Sequence, residues 1–305
     1  MTHAVPITRL EPSEWPALAA FIHRHNRVGG RIRCLHFDQG ETLALHAQEL
    51  AALQPDEAAF WCVYGTDGIA ALIGCELDPA LRRAWLRGPL TAGDDDAHLT
   101  RPLLERLETE LDTLTTFDAF PAQDDEPLNA FYRDAGYRPM GVHRVLQAAL
   151  APLADTPLPA SHGSVRRATP ADLAPLLAVH QALFPSSYLK DSDFERALSA
   201  EDRCVLVTND LAGYLHAKDD PEQDEVYIDY VGVAERARGQ GLGHALLTAA
   251  LAWGRTRGRR QASLTVREDR AAALRLYELA GFRQVSAGAH WRKEVNPTEA
   301  PAVPG

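Results

Sequence analysis

The sequence predicts an α+β fold, a mixed sheet with helices, that occurs twice in succession. Apolar stretches of strand length alternate with segments whose apolar residues recur at helical spacing. The pattern of residues 7–12 returns at residues 165–170, and that of residues 131–137 returns at residues 276–282. A repeat of this length indicates a duplicated domain rather than a solenoid. A chain of 305 residues is long enough for two domains, each with its own core.

The first copy begins with a short strand, and Pro12 and Ser13 then introduce a helix with Leu18 and Ile22 on one side. A second helix precedes two strands joined by a Thr-Asp-Gly turn, and a further strand and an amphipathic helix follow. After the first helix, these elements are expected at residues 43–53, 59–63, 69–77, 85–90 and 103–111, and the opening strand at residues 7–10.

A segment rich in Pro and Ala separates the two copies. Residues 151–163 show no apolar period and are interpreted as a linker. The predicted domains are therefore residues 1–150 and residues 164–296, and residues 297–305 are expected to form a disordered tail.

The second copy is arranged around an apolar strand at residues 226–233 and a helix that reaches about residue 257. Asn209 and Asp210 mark a hairpin turn, and Gly281 follows a helix where left-handed backbone is needed. Helices are expected at residues 170–183, 191–198 and 269–280, and strands at residues 204–208, 212–218, 261–266, 282–285 and 289–295.

A glycine-rich turn, residues 238–243 (Arg-Gly-Gln-Gly-Leu-Gly), connects that central strand to the helix. Glycines let the backbone approach a ligand closely, and the unpaired N–H groups at the start of a helix favour an anion. This arrangement predicts a pyrophosphate site. A dinucleotide-binding fingerprint is excluded because His244 stands where its third glycine would be, and no Gly-Lys-Ser/Thr of a Walker A loop occurs.

The turn fits the pattern Arg/Gln-x-x-Gly-x-Gly/Ala and resembles motif A of the GCN5-related N-acetyltransferase (GNAT) family. Two further motifs match the family at the expected separations: Leu264-x-Val266, and Tyr277 followed by Gly281-Phe282. The resemblance therefore covers about residues 163–296. It implies two tandem GNAT folds, each a mostly antiparallel twisted sheet flanked by helices. The duplicated layout with one intact loop is similar to that of tandem proteins of the mycothiol synthase type.

The resemblance implies acetyl-CoA as the cosubstrate, with no metal. Arg270 departs from the family, which often has asparagine there; an arginine could reach a phosphate or be an ordinary surface residue. The implied cofactor-binding residues are Val231, Gly232, Val233, Arg238, Gly239, Gln240, Gly241, Leu242, Gly243, His244, Arg270 and Tyr277.

The activity implied is transfer of an acetyl group to a primary amine, with Tyr277 as the general acid. A phenol of ordinary pKa near 10 can donate a proton to a departing thiolate; the alternative is that Tyr277 only completes an apolar helix face. The general base is left open between Asp229 and Glu225, which share a strand face with Tyr227 if alternation is regular. Asp229 is singled out because a carboxylate in an apolar strand needs a partner or a function.

The acceptor is not fixed by the sequence. Phe184 and Tyr188 belong to a Phe-Pro-x-x-Tyr turn similar to that of some protein N-terminal acetyltransferases, and Tyr227 occupies the position where several family members carry a base glutamate. These three residues are expected to contact the substrate. A protein N-terminal amine is therefore an alternative acceptor, and a non-catalytic acyl-CoA-binding sensor or assembly module is the alternative function.

The first copy differs at the corresponding turn. Residues 88–96 contain no arginine-glycine loop and end in three aspartates, which would repel a pyrophosphate. We expect that the first domain does not bind acetyl-CoA in the usual way, and that Tyr132, the counterpart of Tyr277, belongs to the core.

Charge and cysteine content limit the partners. A formal charge of −11 argues against nucleic acid or an anionic membrane, and it is compatible with a cationic amine. The four cysteines lack metal-site spacing and are expected to be buried thiols in a reducing cytoplasm. No signal core or membrane-spanning run is apparent. A monomer or homodimer is expected.

Overall fold

The computed structural model describes residues 6–28, 31–35, 42–150, 165–185, 187 and 189–295. The predicted linker, the predicted tail and Tyr188 lie outside the described residues. The chain forms two compact units. The first comprises Met1–His143 with Ala287–Gly305, and the second comprises Arg144–Ser286.

The first unit contains a mixed sheet with helices. Antiparallel pairs join β1 to β4, β4 to β5 and β5 to β6, whereas β6 and β7 are parallel and are connected through a helix, as a parallel pair requires. Its elements in chain order are β1 Thr8–Arg9, α1 Leu18–His25, β2 Arg27–Val28, β3 Arg31–Ile32, α2 Leu43–Ala52, β4 Ala58–Gly65, β5 Gly68–Asp78, β6 Arg83–Thr91, α3 Thr100–Glu110, β7 Thr116–Ala119, α4 Glu126–Asp134 and the beginning of β8 Arg138–Ala149.

The second unit repeats this plan. Strands β9 to β12 form antiparallel neighbours, and α7 connects β12 to the parallel strand β13. Its elements are β9 Val165–Arg167, α5 Leu173–Leu183, α6 Asp191–Ser199, β10 Arg203–Thr208, β11 Gly213–Asp220, β12 Glu225–Val233, α7 Leu242–Thr256, β13 Gln261–Arg267, α8 Ala271–Leu279 and the beginning of β14 Arg283–Glu294.

Each unit is completed by a strand from the other half of the sequence. Leu146 and Leu150, at the end of β8, pack into the core of the second unit beside α7. Trp291, in β14, packs into the core of the first unit, and β14 pairs there with β7. The units therefore divide the chain within β8 and β14, whereas the sequence pattern placed the domain boundaries at residues 150 and 164.

In each unit the sheet is covered on both faces. In the first unit, the neighbouring residues Phe60 and Trp61 point to opposite sides, and each joins a separate hydrophobic cluster. The same division occurs at Leu206 and Val207 of the second unit. Because successive side chains of a strand alternate, an apolar run without polar interruptions marks a strand that is buried on both faces.

The tail of the second copy forms one strand, β14, where the sequence predicted two separated at residues 286–288. Gly288, within this strand, permits close packing, since a Cβ at this position would lie 2.8 Å from Cδ2 of Leu35. The expectation of buried thiols is confirmed: Cys34, Cys62, Cys75 and Cys204 are free and buried.

Candidate functional site

The central strands of the second unit pair over only part of their length. The parallel register of β12 with β13 runs from Glu225 opposite Gln261 to Ile228 opposite Leu264, although both strands continue beyond it. The strands therefore separate after Ile228. The C-terminal half of β12 borders an opening in the sheet directly before the glycine loop.

A β-bulge lies at the point of separation. Ile228 pairs with Ala217 of β11 and Tyr230 pairs with His216, so Asp229 is the extra residue. The bulge reverses the alternation of β12, because Ile228 and Val231 both pack against the α7 side. Asp229 and Tyr230 consequently lie together on the opposite face.

Asp229 has a partner that the sequence analysis missed. Its Oδ2 atom lies 2.9 Å from Nδ1 of His216, and the two side chains are only 9 % and 4 % exposed. The ring of Phe194 packs edge-on against that of His216 at a centroid distance of 5.6 Å. The hydrogen bond compensates for the burial of the carboxylate. A histidine within the apolar strand β11 was the available signal, but regular pairing would not have placed it beside Asp229.

Glu225 lies away from this pair. It begins β12, four residues before Asp229, which corresponds to about 13 Å along a strand. Burial raises the pKa of Glu225, and Nε2 of Gln261 donates to its carboxylate at 3.4 Å. The structure therefore places Glu225 where β12 and β13 are still paired, and it does not bring the two candidate bases together.

Two tyrosines contribute hydroxyl groups to the site. Tyr277 of α8 is 8 % exposed, and burial, with the neighbouring Tyr227, raises its pKa to about 12. Its hydroxyl has no hydrogen-bond partner among the described residues. The hydroxyl of Tyr227 donates to Oγ1 of Thr265 at 3.2 Å, and burial raises its pKa to about 12 as well. Both phenols therefore remain protonated near neutral pH.

The glycine loop has the backbone that its sequence predicted. Gly239 and Gly241 both have φ of +76°, a left-handed conformation that disfavours any other residue. Gly241 is the N-cap of α7. No side chain caps the helix, so the N–H groups of its first turn make no hydrogen bond to a capping side chain. Gly243 allows close packing, since a Cβ there would lie 3.2 Å from Cδ2 of Leu276.

Arg238, Gln240, Leu242 and His244 lie in or next to this loop, whereas Arg270 is the N-cap of α8. Nε of Arg238 donates to the carbonyl oxygen of Val233 at 3.2 Å, which ties the loop to the end of β12. Gln240 and His244 are exposed, and Leu242 is the first residue of α7. Arg270 is 68 % exposed, and its nearest ion-pair contact is Asp269 at 3.6 Å.

The turn after α5 covers the end of β12. A Cβ on Gly232 would lie 2.7 Å from Cδ1 of Leu183 and 2.9 Å from Cε2 of Phe184, so a larger residue would displace these side chains. The rings of Phe184 and Tyr230 pack edge to face at 4.8 Å, and Oγ of Ser187 donates to the Tyr230 hydroxyl at 3.0 Å. The structure thus places Phe184 against the strand of the opening.

The corresponding place in the first unit is closed. Strands β6 and β7 are parallel as β12 and β13 are, but a short 3₁₀ segment, Asp94–Leu99, replaces the glycine loop. Tyr132 is fully buried, as the sequence predicted, and its hydroxyl donates to the carbonyl oxygen of Gly88 in β6. The Tyr132 hydroxyl is therefore engaged with the main chain, whereas that of Tyr277 has no hydrogen-bond partner among the described residues.

The part of the chain that the structure describes contains no helix with the length and apolar character needed to cross a bilayer. It also contains no group of three or more His, Cys, Asp or Glu side chains placed to hold a metal ion.

Comparison with known families identifies the second unit. The model of the Acetyltransferase (GNAT) family matches residues 173–282, a segment that contains Asp229, the glycine loop and Tyr277. These residues form a GNAT acetyltransferase domain. The family assignment made from the loop and its flanking motifs is thereby confirmed.

Curated relatives match over a short stretch of this GNAT domain protein. Mycothiol acetyltransferase of Geodermatophilus obscurus is 44% identical over 69 residues, which are 23% of this chain and 22% of the relative. That of Thermobispora bispora is 46% identical over 69 residues, 23% of each chain. The chain thus matches less than a quarter of the length of these relatives.

Solved structures of GNAT proteins resemble the whole chain at low sequence identity. A GCN5-related N-acetyltransferase from Sphaerobacter thermophilus has a TM-score of 0.73 and 20% identity, covering 96% of this chain and 98% of its own. A tandem GNAT protein from the clavulanic acid biosynthesis pathway has a TM-score of 0.66 and 18% identity, covering 96% and 99%. These likenesses confirm the α+β fold with two tandem GNAT folds.

Proposed function

We propose that this protein is an acetyl-CoA-dependent N-acetyltransferase whose second unit transfers an acetyl group to a primary amine. The observation that carries the proposal is the continuity of two features. The separated half of β12 leads directly into a loop with two left-handed glycines at the start of an uncapped helix.

The residues of this region fit acetyl-CoA. The first-turn N–H groups of α7 and the loop suit a pyrophosphate, because the helix dipole favours negative charge there. The main chain of residues 231–233 borders the opening, where it would hold the pantetheine arm. Bound in this way, the cosubstrate supplies an acyl group that is activated as a thioester.

Side chains of the opening suit the proton transfers. Tyr277 is protonated near neutral pH and its hydroxyl is not engaged, so it can donate to the departing thiolate. Asp229 lies at the point where β12 and β13 separate, whereas Glu225 lies in the paired region. We therefore favour Asp229 over Glu225 as the carboxylate that assists removal of the amine proton.

The acceptor is proposed only as a primary amine. Phe184 and Tyr230 form an aromatic surface beside the opening, and Tyr227 shares a face of β12 with Asp229. The buried free cysteines suit a reducing compartment, which agrees with the expected cytoplasmic location.

The test is thiol release from acetyl-CoA by the full-length protein with polyamines, aminoglycosides, amino-sugar thiols and short peptides as acceptors. We expect calorimetric binding of coenzyme A and release that depends on one class of amine. Binding without release for every amine would favour a non-catalytic acyl-CoA-binding module. Absence of any coenzyme A binding would contradict the assignment of the loop.

A further inference from the structure

We propose that His216 is the general base of the transfer and that Asp229 orients it. The inference rests on the proposed function and deepens it, since it assigns the amine proton to a residue outside the family resemblance. In this arrangement the carboxylate serves as a positioning residue, and the imidazole contacts the acceptor.

The geometry of the pair supports this division of roles. The contact of 2.9 Å engages Nδ1 of His216 with the Asp229 carboxylate. If Nδ1 carries the hydrogen, Nε2 is left with a lone pair and can accept a proton. Nε2 has no hydrogen-bond partner among the described residues. It is also not one of the fully buried polar atoms that lack a partner, so it keeps some contact with solvent.

The bulge explains why these two residues meet. His216 pairs with Tyr230 in the β11–β12 register, and the additional residue in β12 brings Asp229 to the same face. This face is the one covered by Phe184 and Phe194. The imidazole therefore lies on the Phe184 and Phe194 face of the sheet, one strand away from the edge of β12 that borders the opening.

The groups around His216 leave Asp229 as its counter-ion. Tyr230 is the register partner of His216 in β12, and the charge of His216 acts on His180 of α5. The His180 ring in turn packs edge to face against the rings of Tyr214 and Tyr230. Burial, with a smaller effect of His216, lowers the pKa of His180, and burial raises that of Tyr214. Phe194 of α6 packs on His216, and the charge of Asp191, also in α6, opposes the lowering of the His180 pKa. Lys218 of β11 lies over the Tyr227 ring.

Base strength also favours the imidazole. An efficient general base has a pKa near the working pH, and the ordinary value is about 6.5 for histidine and about 4 for aspartate. A carboxylate that is hydrogen-bonded to an imidazole better serves to hold the ring and to stabilise the imidazolium that forms.

The proton balance of the step is complete. Nε2 of His216 takes one proton from the ammonium group of the acceptor, and the freed electron pair attacks the thioester carbonyl carbon. A C–N bond forms and the C–S bond breaks. The thiolate takes the Tyr277 proton, Tyr277 regains a proton from the new amide nitrogen, and His216 returns its proton to solvent. Each turnover releases one proton.

His216→Asn is the informative variant. Its amide N–H can replace Nδ1–H toward Asp229, but it has no basic nitrogen. With the amine that gives the fastest thiol release, we expect kcat to fall by about 10²-fold or more, with unchanged calorimetric binding of coenzyme A. The acidic limb of the pH–rate profile should disappear, and added imidazole should restore part of the rate of His216→Ala.

Two further variants separate catalysis from structure. Asp229→Asn should keep measurable activity with a lower kcat, because an uncharged amide orients the ring less firmly and does not stabilise the imidazolium that forms. His290→Gln is the matched control, since His290 is another buried histidine bonded to a buried carboxylate, Asp118, in the first unit. It should leave the rate and the pH profile of the folded protein unchanged.

The outcomes are distinguishable. A wild-type protein that binds coenzyme A and releases no thiol with any amine overturns the proposed function and this inference together. If His216→Asn retains the wild-type rate and profile while Asp229→Asn is inactive, only the role of His216 is overturned. A slow His216→Asn with an unchanged pH profile and no imidazole rescue would show a purely structural pair.

Discussion

At the scale of single residues, Tyr277 and Tyr132 show how one sequence motif can serve two purposes. Each belongs to the helix before a left-handed glycine, Gly281 with φ of +94° and Gly136 with φ of +84°. Both side chains are buried. They differ in the hydroxyl: that of Tyr132 is bonded to the main chain at Gly88, and that of Tyr277 is not engaged among the described residues. The partner of the hydroxyl therefore decides between core and candidate acid.

The paired substitutions Tyr277→Phe and Tyr132→Phe test this difference. The first should reduce kcat by about 10²-fold or more with little change in coenzyme A binding, because only the proton donor is lost. The second should leave kcat unchanged and lower the free energy of unfolding by about 1 kcal/mol, through the lost hydrogen bond. Thiol-release kinetics and denaturant unfolding measure both effects. Equal rates for wild type and Tyr277→Phe would remove Tyr277 from the mechanism.

At the scale of elements, α7 carries glycines of the same conformation at its two ends. Gly241 precedes the helix and Gly258 follows it; both have φ of +76°, and a Cβ at either would meet nothing within 4 Å. Their conformational requirement is the same, whereas only the N-terminal glycine lies beside helix N–H groups that no side chain caps, where we propose that the pyrophosphate binds. This makes them a matched pair for testing the loop.

We expect Gly241→Ala and Gly258→Ala to lower the free energy of unfolding by a similar amount, about 1–2 kcal/mol, because both force alanine into left-handed backbone. Only Gly241→Ala should raise KM for acetyl-CoA, by about tenfold or more, the equivalent of one weakened charge-assisted hydrogen bond. Steady-state kinetics at saturating amine provide the comparison. Equal KM values in the two variants would place the pyrophosphate elsewhere.

At the scale of the whole molecule, a buried charge cluster connects distant parts of the chain within the first unit. Asp118 of β7 is fully buried and interacts with Arg83 of β6 and with His290 and Arg292 of β14. Burial alone would raise its pKa, but hydrogen bonds from His290 and Arg292 and the charge of Arg83 lower it to about 2. A strand from the end of the sequence thus supplies the counter-charges of the first unit.

The lowered pKa of Asp118 predicts acid sensitivity of the first unit. Its stabilising effect is complete above the unfolded value of 3.8 and is lost as the pH falls toward about 2. The loss should amount to about 2 kcal/mol, and it should be absent in Asp118→Asn, which should be less stable than the wild type above pH 3.8. In a Trp253→Phe background all remaining tryptophans belong to the first unit, so fluorescence-monitored unfolding reports on it. Equal pH dependence in both proteins would contradict the assignment.

The local sequence was sufficient to predict most secondary-structure elements and the glycine turn. Apolar periodicity predicted most helices and strands, and the glycine spacing predicted a left-handed turn before α7, because both depend on neighbouring residues. Apolar periodicity also drew attention to Asp229 as a carboxylate in an apolar strand, whereas Tyr277 was singled out only by the resemblance to the family. The local sequence pattern divided β14 into two strands, because the close packing of Gly288 against Leu35 depends on tertiary structure.

What only the tertiary structure decided depends on contacts between residues far apart in the sequence. The additional residue in β12 is visible only once β11 and β12 are paired, and without it His216 cannot be assigned to Asp229. The placement of β8 and β14 likewise depends on which sheet offers an open edge, a property that no local pattern contains. Sequence therefore determined the kind of fold and the glycine turn before α7, whereas strand pairing decided which side chains of β11 and β12 meet.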